Sequence, residues 1–338
     1  MRDEALLERL TQAWGVSGFE NEVRAIVKEE AAPYADEILE DAIGNVIVLK
    51  KGRGGADAKK LMLAAHTDEI GFMVKTIEED GRLRVCNMGW NWTSSAYNEK
   101  VIFRNGLVGV VSSVGPIEEA GNKAGKLFID IGATSKEDAK KHVKLGDVCC
   151  YLGPYLHLVN DRIVAKALDN REGCYQLLEA LKENNGSYPN DVYYCFCVQE
   201  ELGCRGSKTA AERIHPDVGI AVDITPAHDY PCDLEGSNIV GGGAAIKIAD
   251  PSVVCDENVV ALMEQCCEEN GIPYQRDVID QGGTDASSMN LSGTGVKVGG
   301  ISVVTRYAHT SGSVCSLNDI EAGIDLINAF SKKVYDFV

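Results

Sequence analysis

Two adjacent acids, Glu200 and Glu201, follow directly after an apolar run in the middle of the chain. The run extends from Val192 to Val198 and is too uniformly apolar for a strand with one exposed face. It therefore predicts a central strand of an α/β sheet. Because ligand sites in such sheets gather at the carboxyl ends of the strands, both acids are candidate site residues.

Five further candidates stand at the ends of predicted elements: His66, Asp68, Asp169, Asp223 and His309. Asp169 opens a helix, and the others follow or end strands. Imidazole nitrogens mixed with carboxylate oxygens suit a borderline divalent cation such as zinc. One metal needs three protein ligands, whereas two metals with a bridging carboxylate use five and leave one acid free as a base. The inventory of residues fits the second arrangement.

Each of these residues alone also has a simpler interpretation. Adjacent glutamates can mark the point where a strand reaches solvent, and Asp169 can be a helix N-cap. Asp68 can cap a turn, and His309 lies in a polar loop of ordinary composition. Their shared position at strand ends or at a helix start favours a binuclear metal site. The pattern does not indicate a substrate.

The elements that must position these residues form two parts of one α/β pattern. Residues 1–69 and 165–338 alternate apolar strands with amphipathic helices, which predicts a sheet flanked by helices. Between them, residues 70–164 contain short strands separated by glycine turns, which predicts a small β-barrel or β-sandwich. We therefore expect a discontinuous α/β catalytic domain with an inserted β domain.

Composition and charge narrow the classes of function. The net charge of −18 disfavours nucleic acid and anionic membranes as partners. No apolar run approaches the roughly 20 residues of a membrane span, and the first ten residues are strongly charged, so we expect a cytoplasmic protein. The 12 cysteines lie mostly in apolar strand or helix patterns without a C-x-x-C pair, which predicts reduced thiols.

Six short motifs match one protein family, in the family's order, across the whole chain. They are AAHTDEIGF (64–72), ALDNREG (167–173), VQEELGCRG (198–206), AVDIT (221–225), GGTDAS (282–287) and RYAHT (306–310). With these motifs the chain resembles the cytosolic di-metal aminopeptidases of the glutamyl aminopeptidase and tetrahedral aminopeptidase family, some of which were once labelled endoglucanases. The resemblance implies a zinc-peptidase-like mixed sheet, with the inserted β domain serving oligomerisation and access to the site.

The resemblance also distributes the metal ligands. It implies that His66, Asp169 and Asp223 hold one divalent metal ion. Asp169, Glu201 and His309 would hold the other, so that Asp169 bridges the two. Zn²⁺ is the expected metal, with Co²⁺ as the alternative.

Glu200 would then be the general base, and Asp68 would orient His66 through the other nitrogen of its ring. Two cations lower the pKa of a bridging water and polarise the scissile carbonyl, while Glu200 moves a proton from the water to the leaving amine. One metal would receive the free α-amine of the substrate. Because neighbouring residues alternate faces in a regular strand, Glu200 and Glu201 can act together only if the backbone is distorted there.

The implied substrates are short peptides with a free N-terminus, and the implied assembly is a homo-oligomer, a dodecamer built from dimers. The preferred N-terminal residue stays open, since acidic, aliphatic and basic preferences occur among relatives. Two positions depart from the family pattern. Asn170 replaces the more common second acid after the bridging aspartate, and Thr310-Ser311 replaces Ser-Pro after His309. We expect retained activity with altered electrostatics at the first position and an altered substrate pocket at the second.

Two functions of other classes remain as alternatives. A glycoside hydrolase would use Glu200 and one of the aspartates, but it would leave the histidines without a role. A non-catalytic assembly protein on the same scaffold would be favoured by a missing base or ligand, and none is missing.

Overall fold

The protein is described by a computed structural model that covers residues 2–119, 124–232 and 235–338. One large mixed sheet forms the centre of the fold, with the strand order β1-β2-β12-β3-β13-β17-β14-β15 and with β16 beside β14. Its strands are β1 (Glu37–Glu40), β2 (Val46–Lys50), β3 (Lys60–His66), β12 (Asp191–Cys197), β13 (Val218–Pro226), β14 (Ala244–Asp250), β15 (Val253–Val254), β16 (Tyr274–Val278) and β17 (Lys297–Thr305).

Four neighbouring strands in the middle of this sheet run parallel: β12, β3, β13 and β17. They carry the continuous apolar runs that the sequence shows, because helices cover both of their faces. Parallel strands end at the same edge of a sheet, so the residues that follow them meet there. His66 is the last residue of β3, and Asp223 lies within β13, which runs three residues further than the sequence pattern predicts. The other strand-end candidates follow β3, β12 or β17.

Helices pack on both faces of the sheet, as the apolar stripes in the sequence predict. The helix α7, for example, begins where the side chain of Asp256 accepts hydrogen bonds from the backbone N–H groups of Asn258 and Val259, and it ends at Gly271. The helices are α1 (Glu4–Gln12), α2 (Asn21–Ala31), α3 (Thr93–Ala96), α4 (Lys136–Ala139), α5 (Leu168–Glu183), α6 (Arg205–Ile214), α7 (Glu257–Asn270), α8 (Ala286–Asn290) and α9 (Leu317–Ser331).

The segment between β3 and α5 contains a closed six-stranded barrel with the order β4-β5-β8-β7-β6-β9. Its interior has its own apolar core, which includes Phe72, Leu83 and Ile129. The structure therefore shows a barrel where the sequence left barrel and sandwich open. The strands are β4 (Gly71–Ile77), β5 (Leu83–Met88), β6 (Lys100–Phe103), β7 (Val108–Ser113), β8 (Leu127–Asp130) and β9 (Val148–Tyr151).

A third, smaller sheet joins the end of this segment to the rest of the chain. It consists of β10 (Leu156–Leu158), β11 (Arg162–Ala165) and β18 (Ser313–Ser316), in that order. The hairpin β10-β11, which the sequence pattern groups with the inserted β segment, thus pairs with a strand close to the C-terminus. The division into residues 1–69 with 165–338 and residues 70–164 stays a prediction.

Two further observations bear on the class of protein. Across the described ranges, no helix combines the length and the apolar character needed to cross a membrane. Most of the cysteines are buried free thiols, including Cys195 and Cys197 in β12. This agrees with the reduced state expected from their positions in apolar patterns.

Candidate metal centre

The strands β3 and β13 separate just before they deliver their polar residues. Their pairing ends at Ala64 and Ala221, two residues before His66 and Asp223. The gap opens at the carboxyl edge of the sheet, between strands that are otherwise continuously paired. His66 and Asp223 are both buried there.

Glu200 and Glu201 lie on a turn that begins where β12 ends. Gln199 has a φ of +56°, a left-handed conformation that non-glycine residues seldom adopt. This turn breaks the alternation of a strand, so both acids face the same site. The distortion expected at this point of the chain is confirmed.

Asp169 lies at the start of α5, between the two histidines. Its Oδ1 atom is 3.0 Å from Nε2 of His66, and its Oδ2 atom is 3.1 Å from Nε2 of His309. One carboxylate therefore faces two imidazoles with separate oxygens. This is the arrangement that a carboxylate shared by two cations requires.

The other acids complete two groups around Asp169. The Nε2 atom of His66 lies 3.8 Å from Oδ1 of Asp223, and Nε2 of His309 lies 3.4 Å from Oε1 of Glu201. Within each of the two groups, the potential ligand atoms lie within 4.8 Å of one another. The first group is His66, Asp169 and Asp223, and the second is Asp169, Glu201 and His309.

Asp68 is fully buried and holds several parts of the site at once. Its Oδ1 atom accepts the N–H of Glu200 at 3.0 Å, and its Oδ2 atom accepts the N–H of Glu201 at 3.2 Å. Oδ2 also accepts the hydroxyl of Ser17 at 2.5 Å. Nδ1 of His66 lies 3.1 Å from the backbone carbonyl oxygen of Asp68 and 3.4 Å from its Oδ1 atom. Asp68 thus orients a histidine ring and also the turn that carries both glutamates.

The segment that follows β5 of the barrel contacts the candidate metal centre. The backbone carbonyl oxygen of Trp90 lies 2.7 Å from Nδ1 of His309. The preceding residue must be glycine, because Gly89 has a φ of +77° and a Cβ atom there would lie 2.9 Å from Oε2 of Glu201. The barrel therefore contacts the half of the centre that contains His309.

Thr310 and Ser311, which depart from the family pattern, lie in a loop that makes a second contact with the barrel segment. The hydroxyl of Ser311 donates to Oε2 of Glu99 at 2.7 Å, and the hydroxyl of Thr310 donates to the carbonyl oxygen of Tyr307. Both hydroxyl groups hold the loop after His309 in place.

Asn170, the other position that departs from the family pattern, forms hydrogen bonds with both the nitrogen and the oxygen of its side-chain amide. Its Nδ2 atom donates to the carbonyl oxygen of Val222 at 2.8 Å, and its Oδ1 atom accepts the N–H of Gly173 at 3.1 Å. Val222 lies on β13 just where the pairing with β3 has ended. An ionised acid at this position has no proton to donate to that carbonyl.

Burial raises the pKa of most acids in the centre. It raises the pKa of Glu200 well above its usual value, with Asp223 and Asp285 adding to the effect. Burial also raises the pKa of Glu201 to about 7, aided by the charge of Asp169. Such crowding of buried carboxylates favours the binding of protons or of cations.

The pKa values of Asp169 and of the two histidines shift in the direction opposite to the one that burial alone would cause. Burial opposes ionisation of His309, but Glu201 and Asp169 nevertheless raise its pKa to about 10. The pKa of His66 is also raised well above its usual value, by Asp169 and Asp68. Burial alone would raise the pKa of Asp169, but hydrogen bonds from both imidazoles lower it. Divalent cations in place of these protons would satisfy the same charges, so the residues fit a metal centre.

All seven residues singled out in the sequence meet at this edge of the sheet. The structure adds contacts that the sequence pattern did not indicate: the Trp90 carbonyl oxygen, the Ser17 hydroxyl, and the carboxylate of Glu20, which accepts the N–H of Gln199 at 3.2 Å. It also places Cys204 beside Glu200. The motif GGTDAS, which carries Asp285, was the available signal for a further residue near the site.

Comparison with known proteins gives extended matches. A provisionally named aminopeptidase of Acetivibrio thermocellus is 42% identical over 323 residues, covering 95% of this chain and 96% of that protein. The structure of aminopeptidase APDkam598 from Desulfurococcus kamchatkensis superposes with a TM-score of 0.92 at 36% identity, covering 98% of this chain and 94% of the other.

The Pyrococcus horikoshii TET1 peptidase, which can assemble into a tetrahedron or a large octahedral shell, has a TM-score of 0.85 at 30% identity. That match covers 98% of this chain and 99% of the other. The family model for M42 glutamyl aminopeptidases, which are metal-dependent peptidases, matches residues 44–326. The chain therefore belongs to the M42 glutamyl aminopeptidase family.

Proposed function

We propose that the chain is an aminopeptidase that removes N-terminal residues from short peptides with the help of two divalent metal ions. The observation that carries this proposal is the position of Asp169, whose two oxygens face His66 and His309 separately. A single-metal site needs no such shared carboxylate. Membership of a metal-dependent peptidase family supports the same reading.

Two sets of residues would hold the metals. His66, Asp169 and Asp223 form one set, and Asp169, Glu201 and His309 form the other. When bound there, Zn²⁺ or Co²⁺ polarises a carbonyl group and lowers the pKa of water. Oxygen and imidazole ligands suit zinc, which makes it the first ion to test.

Glu200 is the proposed general base. Its Oε2 atom lies 3.8 Å from Nε2 of His66, and neither proposed set of ligands uses it. It takes a proton from the water that attacks the peptide carbonyl and passes it to the nitrogen as the C–N bond breaks. The acid and amine products then account for all atoms of the peptide and the water. Burial raises the pKa of Glu200, which favours the acceptance of a proton by this carboxylate.

Asp68 is a positioning residue for this reaction and does not itself react. It holds the ring of His66 and the N–H groups of Glu200 and Glu201, so it sets the distance between the base and the metal ligands. Fixing a metal-bound histidine through its second nitrogen is a common way of setting its orientation.

The proposed assembly is a homo-oligomer, a dodecamer built from dimers, in the cytoplasm. The tetrahedral assembly of the Pyrococcus horikoshii TET1 peptidase supports it. Exposed apolar side chains on and beside β10, namely Leu156, Leu158 and Val159, offer surface for contact between copies. Light scattering on the purified chain gives the mass directly, and a monomer would contradict the assembly.

Hydrolysis of matched peptides tests the proposed activity. Metal-depleted protein is given zinc or cobalt and assayed on peptides that differ only in a free or an acetylated N-terminus. We expect cleavage of the free peptides only, restored by metal. The Glu200→Gln variant should bind metal normally and lose about 10²- to 10⁴-fold in rate.

The same assay separates the alternative functions. Failure of fully metallated protein to cleave any peptide would overturn the proposed activity and favour a non-catalytic assembly protein. A glycoside hydrolase that relies on two carboxylates would keep its activity on glycosides after treatment with a chelator. The peptidase should lose its activity under that treatment.

A further inference from the structure

A second group of potential metal ligands adjoins the proposed centre. It consists of Glu200, Cys204 and Asp285, whose potential ligand atoms lie within 4.8 Å of one another. Neither Cys204 nor Asp285 belongs to the two sets described above. Glu200 presents separate oxygens to the two regions, since Oε2 faces His66 and Oε1 accepts a hydrogen bond from the thiol of Cys204 at 3.2 Å.

Asp285 supplies an independent sign of a missing ligand. Asp285 as a whole residue is 1% exposed, and its Oδ1 atom accepts a hydrogen bond from the hydroxyl of Ser207. Within the part of the chain that the structure describes, its Oδ2 atom has no hydrogen-bond partner. Buried carboxylate oxygens usually have a partner, so this oxygen is available to a cation.

The donor set selects the kind of ion. A thiolate with two carboxylates suits Zn²⁺ or the softer Cd²⁺, and three protein ligands leave at least one position for water. Binding would release the thiol proton of Cys204 to solvent and requires no oxidation or reduction. Cys204 is partly exposed, which gives a metal ion a route to the sulfur.

We propose that Glu200, Cys204 and Asp285 form a third cation site, which takes a thiophilic divalent metal and thereby withdraws Glu200 from its work as a base. A cation on Oε1 would engage the charge that Glu200 needs to accept a proton. The site then makes excess zinc or cadmium a reversible inhibitor. The binding of metal stands on geometry alone, whereas the inhibition rests on the proposed aminopeptidase function.

Cadmium is the probe for binding, because a cadmium–thiolate bond has its own ultraviolet charge-transfer band. Protein loaded with two equivalents of zinc is titrated with Cd²⁺, and retained zinc and bound cadmium are both counted. We expect a third equivalent to bind together with the thiolate band. Cys204→Ser retains a hydroxyl that can donate to Glu200, and Asp285→Asn retains an acceptor for Ser207.

Both variants should weaken binding of the third equivalent by about tenfold or more. Replacing even a hydrogen-bond partner of a metal ligand lowers metal affinity by at least that factor. Cys86→Ser, which removes a partly exposed thiol in the barrel, is the matched control and should bind as the parent does. Inhibition by excess metal, measured relative to each variant's own uninhibited rate, should weaken in parallel.

The outcomes separate the two proposals. An unchanged third equivalent in Cys204→Ser and Asp285→Asn, or no third equivalent in the parent chain, would overturn the site and leave the aminopeptidase function intact. If the parent chain binds three metal ions with the thiolate band but cleaves no peptide, the site stands and the proposed function fails.

Discussion

The half of the candidate metal centre around His66 differs from the half around His309 in how it is built. The side chain of His66 is 2% exposed, whereas that of His309 is 23% exposed. His66 ends the regular strand β3, and Asp223 lies within β13. His309 itself has a left-handed φ of +59°, and Glu201 follows the left-handed residue Gln199.

This difference indicates which contacts each half depends on. The central sheet positions His66 and Asp223, together with Asp68 just after β3. The position of His309 depends on the barrel as well, through the Trp90 carbonyl oxygen and through the bond between Ser311 and Glu99. We therefore infer that a metal ion in the His66 half is held more firmly, and that the ion in the His309 half exchanges more readily and responds to movement of the barrel.

Removing the shared carboxylate should abolish the distinction between the halves. Asp169→Asn leaves one oxygen where two are needed, so neither half keeps its full set of ligands. We expect a loss of rate greater than the roughly 10²- to 10⁴-fold loss that follows removal of a general base. The measurement is the rate together with the number of bound zinc ions. Asp161→Asn, at the turn between β10 and β11, is the matched control.

Retention of two zinc ions and a near-normal rate by Asp169→Asn would show that the two halves do not share this residue.

Removing one histidine at a time should separate the halves. His309→Ala should lower the affinity for one metal ion, and His66→Ala should affect the ion that resists chelator longest. Losing a direct ligand should weaken binding by at least the 10- to 100-fold known for partners of metal ligands. Timed removal of zinc by a chelator measures both. His157→Ala, which removes an exposed histidine on β10, provides the control.

Equal rates of zinc release from the two sites in the parent chain would contradict the comparison.

The sequence predicted the residues of both halves but not their difference. Histidines and acids after apolar strands are visible in the chain, and the parallel order of those strands brings them to one edge. The assignment of ligands to two separate metals depended on family resemblance. Exposure and the contribution of the barrel could not be read from the pattern.

Several of the contacts that escaped prediction have a physical cause in the backbone or in long-range pairing. The Trp90 carbonyl oxygen and the N–H groups of Glu200 and Glu201 are backbone atoms, which every residue possesses, so no residue type marks them. The pairing of β11 with β18 joins segments far apart in the chain, and local alternation of apolar residues does not specify a distant partner. The distorted turn after β12 was predictable because two adjacent acids had to face one site.

The metal-free protein should become less stable as pH rises. Glu201 has a pKa of about 7 against a usual 4.5, and His309 has one of about 10 against 6.5, so the folded state binds more protons than the unfolded state between these values. The free energy of unfolding therefore falls as the pH rises from about 5 to about 9. Denaturant midpoints across this range measure the fall.

Zinc should reverse this trend, because protons and metal compete for the same atoms. A midpoint that rises with pH in the metal-free protein would show that the centre does not hold these protons.

The smallest expected effect concerns Asn170, which lies beside the bridging residue. Asn170→Asp restores the acid more common in the family, but an ionised carboxylate cannot donate to the Val222 carbonyl oxygen as the amide does. We expect a loss of about 1 to 2 kcal/mol in the free energy of unfolding at pH 8, and a smaller loss at pH 5, where the new acid can hold its proton. Peptidase activity should change by less than about tenfold, because Asn170 belongs to neither set of ligands.

Asn184→Asp is the matched control. Asn184 is also buried, its amide nitrogen donates to the hydroxyl of Tyr194, and its amide oxygen accepts the N–H of Gly186. Both variants should lose stability as pH rises, whereas only Asn170→Asp should alter zinc affinity. Equal zinc affinities in the two variants would mean that the charge of residue 170 is not felt at the metal centre.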